Sequence, residues 1–269
     1  SSVALLCYGA APAPFELLQR MAHGFKGRLR HIYGTTETMC SLYQSTPLEA
    51  PDHLEPGLYS TLRVVRNGGG TNDLVAPGEE GELLLDATAD MVFTEYVGRP
   101  EATAEKLTGG WYRTGDIVRL NEDGSVTLMG RGDDIIRSRA ENVHPAEVEA
   151  VLAAHPAVAD VAVIGIPDVR WGELVVACVV GRVPGAEPHG RAPSADSHKA
   201  TVDPRALDAH CRASDLAGYK RPLAFFIIDA LPRNAANKVL RRELRTTAIA
   251  ARDQRDARFV TELASPGTA

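Results

Sequence analysis

The chain begins with a strand–helix–strand pattern over residues 3–38, which read VALLCYGAAPAPFELLQRMAHGFKGRLRHIYGTTET. The apolar residues 3–7 are typical of a buried strand, and the Gly and Pro residues that follow end it. Pro14 suits the first turn of a helix whose apolar residues then recur at helical spacing. Residues 29–33 read as a second strand. The segment therefore predicts a βαβ unit, which binds ligands at the carboxyl ends of its strands.

In residues 56–130 the apolar residues no longer recur at helical spacing. The pattern there predicts short strands separated by turns that contain Gly, Asn and Pro. Strands are expected at residues 62–66, 81–86, 117–120 and 125–129. This spacing favours a small β-barrel or a curled sheet.

A second domain is predicted from residue 135 onward, where helical and strand patterns alternate again. Pro145 and the early acidic residue Glu147 favour the start of a helix. Further strands are expected at 158–166, 174–180 and 223–228, and further helices at 204–212 and from Lys238. Residues 181–202 predict a mobile surface loop, and residues 253–269 predict a frayed tail.

The predicted fold class is therefore α/β plus α+β. Residues 1–130 belong to a larger domain, made of a βαβ unit (1–55) and a β-barrel-like subdomain (56–130). A linker (131–134) leads to a small α+β domain (135–252).

Composition excludes several classes of function. Lys and Arg number 29 against 35 Asp and Glu, a net charge of −6, so no overall basic field attracts nucleic acid. No apolar run reaches the roughly 20 residues that span a bilayer. The four cysteines are scattered without a C-x-x-C pair, which argues against a zinc site or disulfides and fits a reducing, cytoplasmic compartment.

The apolar start without an initiator Met leads us to interpret the chain as the C-terminal piece of a longer protein.

Four short segments have residues suited to nucleotide chemistry. In residues 33–37, Tyr-Gly-Thr-Thr-Glu, the hydroxyls could bind phosphate and Glu37 could bind Mg²⁺, or the segment is a Thr-rich surface turn. Asp116 could accept both hydroxyls of a ribose, or it forms a turn. Residues 130–134 are either a charged linker or a hinge whose Arg131 touches nucleotide. Lys238 by itself is most simply a solvated cation near a helix start.

Taken together and in this order, the motifs resemble the adenylate-forming (AMP-binding) superfamily of acyl- and aryl-CoA ligases. The motifs are YGTTE (33–37), GWYRTGD (110–116), GRGDDII (130–136), ENVHPAEVE (141–149) and NAANKVLRREL (234–244). The last three, with EATAEKL (101–107), RWGE (170–173) and YKRP (219–222), look particularly like bacterial 4-chlorobenzoate–CoA ligases. Residues 1–130 would then be the end of the large adenylate-forming domain.

The resemblance implies an ATP- and Mg²⁺-dependent reaction in which an acid becomes an acyl-adenylate and then a thioester of coenzyme A. It implies that Gly9 and Tyr33 flank the adenine, and that Asp116 with Arg131 holds the ribose. Thr36 and Glu37 would serve the phosphates and Mg²⁺. Asp133 would be the hinge of the mobile small domain, and Lys238 would stabilise charge at the α-phosphate.

The substrate pocket and the CoA site also follow from the resemblance. Small or apolar residues fall where the family lines its acid pocket and favour an aromatic or other hydrophobic acid: Ala10, Ile32, Gly34, Met39 and Cys40. Tyr219 and Arg221 fall where close relatives hold the CoA nucleotide. His144 is expected to pack or to cap a helix, and Trp171 to pack at an interface rather than to touch CoA.

Two departures from the family leave alternatives open. The family's phosphate loop is absent, so this chain alone is expected to be inactive, and a non-catalytic nucleotide-binding fragment is one alternative. Arg139 and Ala140 replace a pair of glycines that line the tunnel for the thiol arm, which puts the thioester step in doubt. Transfer to a carrier-protein thiol is the other alternative. The expected partner is a small carboxylic acid, with no nucleic acid and no membrane span, and a homodimer is left open.

Overall fold

The structure, a computed structural model, describes residues 3–9, 15–25, 27–50, 53–182, 202–235 and 237–261. The chain divides into two compact units, residues 1–133 and 134–269, and the boundary falls inside the predicted linker. None of the described helices is long and apolar enough to cross a membrane.

The described part of the first unit has nine strands and two helices. The strands are β1 (Leu5–Gly9), β2 (Arg28–Tyr33), β3 (Leu42–Gln44), β4 (His53–Pro56), β5 (Leu62–Val65), β6 (Glu80–Asp86), β7 (Leu107–Thr108), β8 (Trp111–Leu120) and β9 (Val126–Arg131). The helices are α1 (Phe15–Gly24) and α2 (Pro100–Lys106). β1 and β2 pair in parallel on either side of α1, which confirms the predicted βαβ unit; Pro14 lies outside the described residues.

The strands of this unit form one sheet in the order β1-β2-β3-β4-β9-β8-β6-β5, with β7 paired to β8. Strands β3 and β4 join the βαβ strands to the other strands, and the strand path is open in the described residues. Of the two expected alternatives, a small β-barrel and a curled sheet, the open path agrees with the sheet. One apolar cluster lies against the sheet, with Leu42, Leu83 and Val118 fully buried.

Helix α2 lies inside the segment that was expected to contain only strands. It has a Pro in its first turn and an early acidic residue, Glu101, as helix starts often do. None of its residues is buried. The apolar period that identifies a helix in a sequence is therefore missing, which is why the pattern did not predict it.

The described part of the second unit has three α-helices and six strands. They are β10 (Ile136–Ser138), β11 (Glu141–Val143), α3 (Pro145–Ala153), β12 (Val158–Asp168), β13 (Gly172–Gly181), α4 (Pro204–Ala213), β14 (Ala224–Ile227), α5 (Arg241–Asp253) and β15 (Phe259–Val260). The sheet order is β11-β10-β13-β14-β15, with β12 paired to β13.

This second sheet is buried on both faces. Val175, Ala177 and Val179 of β13 pack with α3 and α4, while the alternate residues Val176 and Cys178 pack with α5. Because both faces meet apolar neighbours, β12 and β13 read as nearly continuous apolar runs rather than as alternating patterns.

Three expectations for this unit need correction or fall outside the structure. The last helix begins at Arg241, so Lys238 lies in the preceding turn. The tail does not fray throughout, because β15 pairs with β14 and Phe259 packs against Phe226. Residues 183–201 of the predicted loop and 262–269 of the tail lie outside the described residues.

Candidate active site

Asp116 is the buried centre of a polar cluster in the first unit, in which the side chain of Arg131 is half-exposed. It lies on β8 opposite Arg131 of β9, and only 6% of it is exposed. Its Oδ2 accepts a hydrogen bond from the Tyr33 hydroxyl, and its Oδ1 lies 3.2 Å from Nη1 of Arg131. Its backbone N–H donates to the Thr114 hydroxyl (3.0 Å), which in turn donates to the carbonyl of Leu83 (2.8 Å). The carboxylate therefore has a defined position, with lone pairs left to accept ligand hydroxyls.

Protonation in this cluster follows from burial and from the charge of Asp116. Burial, with that negative charge, raises the pKa of Tyr33 far above its ordinary value, so its hydroxyl stays a neutral donor. Burial lowers the pKa of Arg131, but Asp116 outweighs this and the guanidinium stays charged. The Tyr33 ring lies in the core with 9% of the residue exposed, so its predicted contact with adenine stays a prediction.

Glu37 is held by its own loop and by a second loop of the same unit. The Tyr96 hydroxyl donates to Oε1 of Glu37 at 2.7 Å, and the Glu37 backbone N–H donates to Oγ1 of Thr35 at 3.2 Å. Burial raises the pKa of Glu37, but hydrogen bonds from Tyr96 and with Thr35 outweigh it and hold the pKa below its usual range. Glu37 is therefore an ionised carboxylate at neutral pH.

An ionised, partly buried carboxylate fits Mg²⁺, which binds through one or two carboxylates together with substrate phosphates. Among the described residues, no group of three or more His, Cys, Asp or Glu is arranged to hold a metal ion. A Mg²⁺ ion at Glu37 would therefore need ligands from the substrate phosphates. Thr36 beside it is exposed. Tyr96 was not identified from the sequence, because it lies 59 residues from Glu37 in the chain. Thr114 lies two residues before Asp116, within the GWYRTGD motif, but the motif assigned it no role.

The predicted acid-pocket residues lie around a tight backbone contact. A Cβ at Gly34 would be 1.3 Å from the carbonyl oxygen of Met39, and Met39 itself has a φ of +51°. Cys40 is exposed, and Ile32 lies on β2 beside Gly9, where a Cβ would be 2.4 Å from the Ile32 carbonyl oxygen. Ala10 lies outside the described residues. Close backbone contacts therefore explain why glycine is present at both positions. The acid pocket itself stays a prediction.

Lys238 lies on a well-defined turn of the second unit. Its backbone N–H donates to Oδ1 of Asn234 (2.9 Å), and its carbonyl accepts from the Asn234 N–H (3.0 Å). Asn237 has a φ of +61°, and its carbonyl accepts from Arg233 at 2.7 Å. These hydrogen bonds fix the backbone at Lys238, and its side chain is exposed. An exposed side chain on a fixed backbone is suited to reach a ligand.

Arg139 and Ala140 form the turn between β10 and β11, with φ values of +56° and +64°. The guanidinium carbon of Arg139 lies 3.9 Å from the centroid of the Trp171 ring, and that of Arg170 lies 4.5 Å from it. The Trp171 ring also packs against the α5 side of the core of its own unit. Its expected place at an interface stays a prediction.

The remaining predicted residues of this unit also have defined surroundings. Tyr219 packs against the α3–α4 side of the core, and Arg221 donates to the carbonyl of Leu216 at 3.4 Å. His144 is 3% exposed at the N-cap position of α3 but makes no side-chain capping bond, so it packs rather than caps. Asp133 is exposed at the end of the first unit, and its hinge role stays a prediction.

Comparison with known proteins identifies the family. The family of the AMP-binding enzyme C-terminal domain matches residues 147–238. The 4-chlorobenzoate–CoA ligase of Arthrobacter sp is 42% identical over 244 residues, which are 91% of this chain and 43% of that protein. A fatty acid–[acyl-carrier-protein] ligase of Streptomyces coeruleorubidus is 39% identical over 247 residues, 88% of this chain and 43% of that protein.

A solved structure extends the likeness to three dimensions. The o-succinylbenzoate–CoA synthetase of Bacillus subtilis, in complex with its acyl-adenylate intermediate, has a TM-score of 0.76 and 32% identity, covering 90% of this chain and 46% of that one. The same synthetase with ATP and a magnesium ion has a TM-score of 0.72 and 31% identity, covering 89% and 46%. The chain spans less than half the length of the relatives that it matches. Residues 147–238 therefore match the AMP-binding enzyme C-terminal domain, and over 91% of its length the chain is similar to part of an aryl-CoA ligase of the AMP-binding superfamily.

Proposed function

We propose that this chain is the portion of an acid–thiol ligase that holds the ribose, the metal and the mobile lysine, and that the complete enzyme converts a hydrophobic, aromatic carboxylic acid into its CoA thioester. By complete enzyme we mean this chain together with the upstream part that its relatives possess. The observation that carries the proposal is that buried Tyr33 and Asp116 form a cluster with the half-exposed Arg131, in the same unit as the ionised Glu37.

Two steps make up the proposed reaction. A carboxylate oxygen of the acid bonds to the α-phosphorus of ATP, and the bond to the β-phosphate oxygen breaks to release pyrophosphate. The thiol sulfur of CoA then bonds to the acyl carbon, the thiol proton is lost to solvent, and AMP leaves with the electrons of the acyl–oxygen bond. Asp116 would accept the ribose hydroxyls in both steps, and the Mg²⁺ held at Glu37 would neutralise phosphate charge. Lys238 would act on the α-phosphate in the first step alone.

A carrier-protein thiol is the second candidate acceptor, supported by the likeness to the Streptomyces carrier-protein ligase. Tyr219 and Arg221 favour free CoA, because a carrier protein presents no nucleotide for a ring and a cation to bind. A cytoplasmic location and a homodimer stay predictions.

Replacement of Lys238 tests the proposed division of labour. In the complete enzyme, Lys238→Ala is expected to lower acid-dependent ATP–pyrophosphate exchange about 10²–10³-fold, as the loss of one charged transition-state stabiliser does. Thioester formation from supplied acyl-adenylate is expected to stay near the wild-type rate. Because the Lys238 side chain is exposed, the fold should not change.

Arg242→Ala is the matched control, since Arg242 is an exposed cation at the start of α5. It should leave both half-reactions intact. The 269-residue chain alone should stay at background with a panel of benzoates and fatty acids, because it has no G-x-x-x-x-G-K-[ST] segment or other phosphate loop. Equal losses in both half-reactions would contradict the assignment of Lys238.

A further inference from the structure

The segment EATAEKL has no part in the reaction proposed above, although it is among the motifs that identify the family. Its residues form most of helix α2, which buries none of its side chains. Thr103 of this helix accepts a hydrogen bond from the Tyr96 backbone N–H (3.0 Å) and donates to the carbonyl of Arg99 (2.9 Å). The Arg99 N–H donates to the Tyr96 carbonyl (2.9 Å). The helix therefore holds the turn 96–99 and, with it, the backbone of Tyr96.

Tyr96 connects this turn to Glu37, which lies 59 residues earlier in the chain. Its hydroxyl donates to Oε1 of Glu37 at 2.7 Å, and the Phe93 backbone N–H donates to the Glu37 carbonyl, also at 2.7 Å. One loop, residues 91–99, therefore contacts Glu37 at both its side chain and its backbone, in addition to the contact of the Glu37 N–H with Thr35. This loop has no regular secondary structure.

Aromatic packing gives this loop its rigidity. The Phe93 ring lies 4.6 Å from the ring of Tyr96 and 5.6 Å from that of Tyr112, measured between centroids. Tyr112 is 2% exposed, so the pair is anchored to the core of the unit. A hydroxyl on such an anchored ring keeps its direction, which a flexible side chain would not.

We propose that Tyr96 is a positioning residue for the Glu37 carboxylate and that α2, through Thr103, keeps Tyr96 in place. The proposal rests on the function proposed above, in which Glu37 binds Mg²⁺ together with nucleotide phosphates. A hydrogen bond to a ligating carboxylate orients it, and removal of such a bond costs about 10–100-fold in metal affinity. The carboxylate still has lone pairs on both oxygens for a cation.

Tyr96→Phe removes only the hydroxyl and keeps the ring that packs against Phe93. In the 269-residue chain, hydrogen–deuterium exchange is expected to become faster in the peptide that spans residues 33–42. Tyr59→Phe is the matched control, because Tyr59 is 80% exposed, and it should leave exchange unchanged. Thr103→Val, which removes the contact between α2 and Tyr96, should change exchange in the same direction by a smaller amount.

The complete enzyme tests the consequence for the metal. Calorimetric titration of Mg²⁺ in the presence of ATP should show an apparent Mg²⁺ affinity about 10–100-fold weaker in Tyr96→Phe than in the wild type and in Tyr59→Phe. Unchanged exchange, or equal Mg²⁺ affinities in all three proteins, overturns the role of Tyr96. Absence of Mg²⁺-dependent ATP binding in the wild type overturns the proposed function instead, and the exchange data then still decide whether Tyr96 holds Glu37.

Discussion

Gly34 shows how a single position in the YGTTE loop depends on close backbone packing. Its Cα faces the Met39 carbonyl so closely that an added Cβ would lie 1.3 Å from the oxygen and 2.5 Å from the carbonyl carbon. Both atoms belong to the backbone, so no side-chain rotation relieves the clash. The predicted pocket residue Gly34 is therefore required by the loop that holds Thr36 and Glu37, whatever acid the enzyme binds.

Gly34→Ala is expected to lower the free energy of unfolding of the first unit by about 1–3 kcal/mol, the range for overpacking a site that cannot relax. Gly70→Ala is the control, because a Cβ there meets no atom within 4 Å. The control should stay within about 0.5 kcal/mol of the wild type. Urea unfolding of both variants measures the difference, and equal midpoints would show that the loop accommodates a side chain.

At the scale of the secondary structure elements, the turn between β10 and β11 is where the sequence is expected to depart from the ligases that it resembles. Arg139 and Ala140 both have left-handed backbone conformations, which cost a residue with a side chain about 1–2 kcal/mol each. Stacking of the Arg139 guanidinium on the partly buried Trp171 ring returns about 0.5–1 kcal/mol. The turn thus has the left-handed backbone conformation that glycine favours, although neither residue is glycine. The bulky Arg139 side chain belongs to the segment where the thiol arm is expected to pass.

Replacing both residues with glycine should speed the thioester step. In the complete enzyme, Arg139→Gly with Ala140→Gly is expected to raise the single-turnover rate of thioester formation from acyl-adenylate and to leave adenylation unchanged. The free energy of unfolding should not fall, because the left-handed strain is relieved.

The opposite kinetic result has a distinct physical meaning. A raised apparent KM for CoA would show that Arg139 pairs with a CoA phosphate, to which a guanidinium is well suited. An unchanged rate together with an unchanged KM would remove Arg139 from the mechanism.

At the scale of the whole chain, the two units differ in the solvent exposure of their cysteines. Cys7 and Cys40 of the first unit are exposed. Cys178 lies on β13 and Cys211 on α4, and both are buried in the second unit. Burial raises the pKa of Cys178 to about 12 and that of Cys211 to about 11, so both stay protonated thiols near neutral pH.

Two of the four thiols in the 269-residue chain are therefore expected to react rapidly with a disulfide reagent at pH 8, and two only after unfolding in urea. Because the thiolate is the reactive form and both raised pKa values lie above pH 8, a modest increase in pH should not expose the slow pair to reaction. Cys7→Ser with Cys40→Ser is the control, and it should abolish the fast phase. Four fast thiols would contradict the buried cores of the second unit.

Much of the fold could be predicted from the sequence, because local patterns report burial. The βαβ unit, α3, α4, β12, β13 and β14 all lie where apolar runs, proline positions and turn residues indicated them. The short strands β3, β4, β10 and β11 have too few residues to show a period. Helix α2 buries none of its residues. Elements that are very short, or that bury no side chain, leave no periodic signal in a sequence, and they were missed for one of these two reasons.

The sequence by itself indicated the resemblance to the superfamily and the positions of its motifs, since five ordered segments of chemically specific residues match one known pattern. Tertiary structure alone decided which residues hold those motifs in place. Tyr33 reaches Asp116 across 83 residues of chain and Tyr96 reaches Glu37 across 59, contacts that depend on strand order and loop packing. The physical reason is that two residues joined by a hydrogen bond can lie at any separation along the chain, so such a contact cannot be recognised from residue spacing. The period of a helix or strand and the residue order of a motif, in contrast, can be recognised within a few consecutive positions.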